Sequence, residues 1–300
     1  MQGAGGGPYG GLVYVIHRMD RGCRDAYGPR MTLQTNPPPS PGPARLVAPN
    51  GRGASAVTEV VLSDRFNGPP GSAQGGYVCG TVAALLADGP EQRLVPAPGP
   101  VQVRLHRPPP LSTSLRWDGQ RLLDGGDVVA EAAMPTDGTP VVPNPVSLEA
   151  AHEAAGRFLG RTRHPFPTCF GCGTRRPPGD GLRIFAAAVP GTTVLAAPWT
   201  PDPSLATSPA ATPSESRRIP EAVVWAALDC PGGWAVGDDR SVVLGTMTAH
   251  VTGPIEVGAP HVVTAWPVGV EGRKRSACSA LHSADGQLLA WSRQTWIELT

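Results

Sequence analysis

From Ser55 onward, the spacing of hydrophobic positions changes repeatedly, and each change marks an element. AVTEVVLSD carries β-branched residues in the manner of a strand. FNGPPGSAQGG, rich in turn formers, separates it from YVCGTVAALLA, an apolar Ala- and Leu-rich run that predicts a buried helix. In PVQVRLHRPPP, Val101, Val103 and Leu105 alternate with Gln102, Arg104 and His106, the two-residue period of a half-buried strand. STSLRWDG, QRLLDGGD and VVAEAAM continue as strands divided by Asp-Gly and Gly-Gly turns.

A connection follows over residues 137–164. Within it SLEAAHEAAGRFLG predicts a helix, with Ser147 as N-cap and Glu149 in the first turn. Then the order recurs. GLRIFAAAV and TTVLAAPW read as strands, and RRIPEAVVWAALDCPGGWA as a helix opened by Pro220 and closed by Pro231-Gly232-Gly233. SVVLGTMTAHVTGPI, HVVTAWPVGV, RSACSALHSADG and QLLAWSRQTWIEL are four further strands, the last two joined by the hairpin signal Asp285-Gly286. Arg104-Leu105-His106-Arg107-Pro108 stands in the first run where Ala249-His250-Val251-Thr252-Gly253-Pro254 stands in the second. Repetition on this scale argues for duplication. The expected class is α+β: two central helices, each wrapped by a curved antiparallel sheet.

Residues 1–54 break the pattern. GAGGGPYGG and NPPPSPGPAR offer too little apolar surface to offset the entropy of ordering, so this segment is expected to be disordered. Met31 offers an alternative start within it. The expected division is therefore 1–54 as a disordered segment, 55–136 as a first half, 137–164 as a linker with a short helix, and 165–300 as a second half.

Composition narrows the function classes. Of 300 residues, 40% are hydrophobic and 16% charged, with a formal net charge of +1. That balance gives no long-range attraction to nucleic acid or an anionic membrane. No apolar run reaches the roughly 18 residues of a membrane span, and the N-terminus lacks the basic region of a signal peptide. The six scattered cysteines lack the dense spacing of a secreted disulfide scaffold, which predicts a reducing cytoplasm.

Three stretches resemble the hotdog-fold acyl-CoA thioesterase superfamily of the phenylacetate-pathway type. Gln74-Gly75-Gly76 is similar to the His-Gly-Gly turn that opens that family's central helix. Val223-Val224-Trp225-Ala226-Ala227-Leu228-Asp229 resembles the helix bearing its acidic residue. Cys169-Phe170-Gly171-Cys172-Gly173, followed by Gly179-Asp180-Gly181-Leu182, resembles a lead-in before its first strand. The resemblance covers roughly 55–135 and 165–300, and implies a tandem (double) hotdog acting on an acyl-CoA or acyl-carrier thioester. It allows a homodimer of such double hotdogs and requires no cofactor.

In the family pattern the acid lies nine residues after the His. Nine residues after Gln74 stands Ala83, and nine before Asp229 stands Pro220. One half thus keeps the glycines and the other keeps the acid. In homodimeric relatives the two come from opposite subunits, so the resemblance implies one composite site of Gln74, Gly75, Gly76 and Asp229. Glycines at a helix start let a thioester approach the N–H groups that hold a developing oxyanion, and a carboxylate activates water. Gln74 replaces the His and can donate a hydrogen bond without titrating.

Plainer readings stand beside these. Gly75-Gly76 reads equally as a turn before a helix. Asp229 reads also as a polar residue near a helix end, although it is the sole acid in an apolar run. Glu221 complements the helix dipole. Arg273-Lys274-Arg275, in a hairpin turn, offers clustered cations for coenzyme A phosphates or is simply a solvated turn. Cys169 and Cys172 have the spacing of half a zinc site, but only two thiolates are available locally and a closed site takes four ligands. No stoichiometric zinc is expected there, and His164 is the nearest extra candidate. Cys79 and Cys230 read as core packing. A non-catalytic acyl-thioester binding protein and a hotdog dehydratase are the rival functions. A dehydratase commonly pairs Asp with His, and no His follows Asp229 on its helix.

Overall fold

The structure is a computed structural model that describes residues 45–47, 58–87, 99–135, 137–206, 218–237 and 241–299. In chain order it places strands β1 (Arg45–Val47) and β2 (Thr58–Val61), helix α1 (Gly75–Ala87), and strands β3 (Val101–Leu105), β4 (Ser114–Trp117), β5 (Arg121–Asp124) and β6 (Asp127–Ala133). Helix α2 (Leu148–Gly156) follows. Strands β7 (Ala187–Ala188) and β8 (Leu195–Trp199), helix α3 (Glu221–Gly237), and strands β9 (Val242–Val251), β10 (His261–Glu271), β11 (Lys274–Ser283) and β12 (Leu288–Glu298) complete the order.

The strands form one antiparallel sheet in the order β1-β2-β4-β5-β6-β3-β9-β12-β11-β10-β8-β7. Read from either edge to the β3–β9 seam, the sequence of elements is the same. The seam pairs Val101 with Ala249 and Arg104 with Thr246, so the two stretches matched in the sequence lie on adjacent strands. Helices α1 and α3 pack against each other and against the sheet in one apolar core. Gly76 faces Trp225 and Asp229 while Gly80 faces Ala222, so the two helices run in opposite directions. A Cβ on Gly76 would lie 2.5 Å from the Asp229 Cβ, and one on Gly80 would lie 2.6 Å from the Ala222 Cα. Those glycines allow the close approach.

Three local expectations change. Arg45–Val47, inside the segment expected to be disordered, pairs with β2 from Arg45↔Val61 to Val47↔Glu59. The rest of 1–54 lies outside the described residues. GLRIFAAAV forms a strand only at Ala187–Ala188. Gly181 and Arg183 take positive φ (82° and 54°), which breaks the extended run. The amides of Leu182 and Ile184 instead donate to the carbonyls of Phe170 and Gly171.

Helix α3 does not close at Pro231-Gly232-Gly233 but continues to Gly237. Proline removes one helical hydrogen bond and crowds the preceding turn, at about 3 kcal/mol in an isolated helix. The bond lost here is the one to the Ala227 carbonyl; the adjacent Leu228 carbonyl accepts from Ser279 Oγ at 2.6 Å and Gln294 Nε2 at 2.7 Å, which ties this turn of α3 to the sheet. The two glycines lie against β12 rather than capping the helix. A Cβ on Gly233 would meet the Trp296 ring at 2.9 Å, and one on Gly232 would overlap the Gln294 side chain. Helix α2 agrees with expectation, Ser147 Oγ accepting from the Ala150 amide at 3.2 Å.

Candidate active site

The segment between α2 and β7 positions the site. Phe170 packs edge-on against Phe66 and Tyr77, which stack on each other with ring centroids 3.9 Å apart. The Phe170 amide donates to the Asn67 carbonyl at 2.7 Å. Buried Arg176 donates to the backbone carbonyls of Thr168 (2.8 Å) and Arg65 (2.7 Å), to the Asn67 side chain, and to both carboxylate oxygens of Asp180 at 3.0 Å. Gly179 and Gly181 adopt the positive φ that this tight loop needs. The Gly-Asp-Gly-Leu motif thus clasps the loop that leads into α1.

At the start of α1, Asp229 of α3 meets Gln74 and Gly76. Its Oδ2 accepts from the Gly76 amide at 2.9 Å and from Gln74 Nε2. Gln74 is itself fixed, its Oε1 accepting from the Tyr77 amide at 2.6 Å. Asp229 is 3% exposed, and its Oδ1 has no hydrogen-bond partner among the described residues. Burial pushes its pKa up to about 8, and negative charge at Cys169 adds to the rise. The two donated hydrogen bonds favour the anion but do not offset the lost hydration.

Gln74 and Asp229 line a cavity of about 730 Å³ together with Gly75, Leu105, Leu244 and Trp234. Its size suits a small-molecule site. No described group accepts from the Gly75 amide, which leaves this N–H at the positive end of α1 available to a ligand. The structure therefore brings Gln74, Gly75, Gly76 and Asp229 together. It differs from the expected arrangement in one respect: the Gly76 amide is held by Asp229, so no substrate carbonyl fits between them.

Arg273, Lys274 and Arg275 are not among the residues lining this cavity. Arg273 donates to the Glu298 carbonyl, and Arg275 pairs with the Glu298 carboxylate at 2.8 Å. Arg107 and Arg163 are the arginines on the cavity wall. Glu221 stands in the first turn of α3, as expected, and accepts from Trp225 Nε1 at 3.2 Å.

Sequence reasoning missed a third thiol. Cys230, one residue beyond Asp229, reaches Cys169 and Cys172, and the three sulfurs lie within 4.8 Å of one another. A local count of ligands could not include it, because 61 residues separate Cys169 from Cys230. His164 stays outside the cluster. Its Nε2 donates to the Cys172 carbonyl at 3.0 Å, its Nδ1 accepts from the Phe166 amide at 3.0 Å, and burial lowers its pKa.

Among solved structures, the chain matches the tesB protein of Mycobacterium avium subsp. paratuberculosis at a TM-score of 0.50 and 14% identity. That match covers 83% of this chain and 95% of that one. A protein of Thermobifida fusca, provisionally named thioesterase II, matches at 0.50 and 15%, over 85% of this chain and 96% of that one. A provisionally named thioesterase of Novosphingobium aromaticivorans matches at 0.50 and 14%, over 85% and 98%. The fold is a hotdog fold. At these identities the likeness establishes architecture and leaves the chemistry to the site. No protein-family model matches the chain, and no curated protein does. Among the described residues, no helix of this hotdog protein is long and apolar enough to cross a membrane.

Proposed function

We propose that this protein is a tandem double hotdog that hydrolyses an acyl-CoA or acyl-carrier thioester at one composite site. The observation that carries this reading is the buried Asp229 carboxyl, its Oδ1 without a partner among the described residues, on a cavity wall that Gly75 also lines. In this reading the thioester carbonyl rests on the Gly75 N–H, where the α1 dipole favours the developing oxyanion. Asp229, when ionised, takes a proton from a water molecule as that water attacks the carbonyl carbon. Collapse of the tetrahedral intermediate expels the thiolate, which recovers the proton from Asp229. Gln74 and Gly76 position the carboxylate through Oδ2 and leave Oδ1 for the water.

The tandem reading rests on the element order, which is shared by the two runs of strands that meet at the β3–β9 seam. We place the halves at 55–136 and 165–300, with 137–164 as the linker. The opposite end of the helix pair offers Ala83 where an acid would stand, which supports a single working site. Arg107 and Arg163 replace the 273–275 triplet as the nearer cations for substrate phosphates. The five described cysteines are free, which fits a cytoplasmic location.

A screen of acyl-CoAs for release of free thiol tests the activity. Asp229→Asn is expected to lower turnover by roughly 10²–10⁴. Hydrolysis unaffected by that substitution would remove Asp229 from the mechanism. A non-catalytic acyl-thioester binder is the second reading, favoured by the engagement of the Gly76 amide and the Gln74 amide group with Asp229. Tight binding of acyl-CoA with no turnover by the wild type would select it.

A further inference from the structure

The three thiols beside the site have no part in the hydrolytic reading; they converge within a small buried cluster that also holds Phe158 and Phe185. Cys169 and Cys172 come from the turn that follows the linker helix, and Cys230 from the middle of α3. The Cys169 and Cys230 sulfurs are 3.6 Å apart. A disulfide would need about 2.05 Å. Two thiolates on one tetrahedral Zn2+, each at about 2.3 Å, stand about 3.8 Å apart. The observed spacing is close to that tetrahedral edge.

The backbone is also arranged for a metal-binding turn. The Gly173 amide donates to the Cys169 carbonyl at 2.8 Å, closing a tight loop around the Cys-x-x-Cys spacing. A Cβ on Gly173 would lie 2.4 Å from that carbonyl, and one on Gly171 would lie 2.5 Å from the Cys230 sulfur. Both glycines are needed for the three sulfurs to converge. His164 fixes the Cys172 carbonyl, and Gln74 Nε2 lies 3.6 Å from the Cys230 sulfur.

We propose that Cys169, Cys172 and Cys230 bind one Zn2+ through three thiolates, with the fourth coordination position open to the cavity. Binding releases the remaining thiol protons to solvent and involves no redox change. Soft thiolate donors select zinc over the hard cations magnesium and calcium. Three protein ligands with an open fourth position leave a place for water or another small ligand, whereas a purely structural zinc is closed by four. No fourth protein ligand joins the group among the described residues, and all three cysteines line the cavity. The proposal is independent of the hydrolytic reading, because its tests do not use turnover.

Full-length protein purified under reducing conditions should carry about one zinc per chain by mass-spectrometric metal analysis. Cys169→Ser, Cys172→Ser and Cys230→Ser should each weaken zinc binding by more than the roughly 10–100-fold that loss of a supporting hydrogen bond costs. Cys278→Ser, whose thiol lies elsewhere on β11, should retain the metal. Substitution of the wild type with Co2+ should give intense thiolate-to-cobalt charge-transfer bands, and added 2-mercaptoethanol should shift them by occupying the fourth position. This wild-type measurement stands even where a serine variant fails to fold. Folded, reduced protein that holds no zinc and gives no charge-transfer band with Co2+ would overturn the site. Bands insensitive to added thiol would overturn its open position. A Cys169–Cys230 disulfide in the metal-free protein, formed in place of zinc binding, would assign the cluster to thiol oxidation instead.

Discussion

A carboxyl group held neutral inside a fold must make that fold less stable as the pH rises. Asp229 is 3% exposed and its pKa is about 8, against about 3.9 for an unfolded aspartate. Between these values the folded chain holds a proton that the unfolded chain has lost. The stability associated with the neutral form is therefore fully present below about pH 4 and is lost progressively as the pH climbs to about 8. The slope approaches about 1.4 kcal/mol per pH unit, or roughly 3–4 kcal/mol between pH 5 and 8. Asp229→Asn keeps an acceptor for the Gly76 amide and Gln74 and cannot ionise. Urea unfolding of metal-free wild type and variant at pH 5, 6, 7 and 8 isolates this group, because other titrations cancel in the difference. With an m-value of roughly 2–3 kcal/mol per molar, the midpoint of the wild type should fall against that of the variant by more than about 1 M across this range. A difference that stays constant from pH 5 to 8 would mean that Asp229 is already ionised at pH 5, and the account of the site would fail.

If Asp229 is the base, hydrolysis should rise about tenfold per pH unit below pH 8 and level off above it, as measured by thiol release. A rate independent of pH over that range would exclude it. Gly76→Ala should destabilise by roughly 1–3 kcal/mol in thermal melting, since its Cβ would stand 2.5 Å from the Asp229 Cβ. Gly126→Ala, whose Cβ would meet nothing, should stay within about 0.5 kcal/mol. Gln74→Ala should cost about 1–3 kcal/mol by leaving the Tyr77 amide without its acceptor, and should move the pH profile of hydrolysis upward by removing a donor that favours ionised Asp229.

Periodicity in the sequence identified most of the strands, both apolar helices and the linker helix, because those elements answer to local signals. Alternation marked Val101, Val103 and Leu105, and Ser147 marked the start of α2. The misreadings fall where tertiary contacts override local rules. Pro231 reads as a helix stop, yet α3 continues to Gly237, buried against strands distant in sequence whose Ser279 and Gln294 bind the neighbouring Leu228 carbonyl. Leu182–Phe185 reads as a strand, yet its amides answer to the turn at Phe170 and Gly171. The expected meeting of Asp229 with the start of α1 came from comparing the two halves with a family pattern. The direct bond to the Gly76 amide did not follow from that comparison, because it depends on how closely the glycines let the two helices approach.

The three-thiol cluster was illegible for a related reason, and that reason bears on how the site assembles. Cys169 and Cys172 are carried by a turn that is clasped through Phe170 and Arg176 to the loop before α1, whereas Cys230 and Asp229 ride on α3. The polar groups of the cavity wall discussed above therefore come from three separate pieces of chain: the lead-in to α1, the turn after the linker helix, and the middle of α3. None of the three can supply an oxyanion donor, a carboxyl group and three thiols alone. The Arg176 clasp is then a positioning device for the cysteines as well as a stabilising contact. Arg176→Ala removes hydrogen bonds to Thr168, Arg65, Asn67 and Asp180, at roughly 2 kcal/mol in sum after rehydration of the freed groups. It touches no sulfur, so a variant that remains folded should bind zinc more weakly while giving a charge-transfer spectrum of unchanged type. Zinc affinity equal to the wild type would show that the turn holds its shape without the clasp.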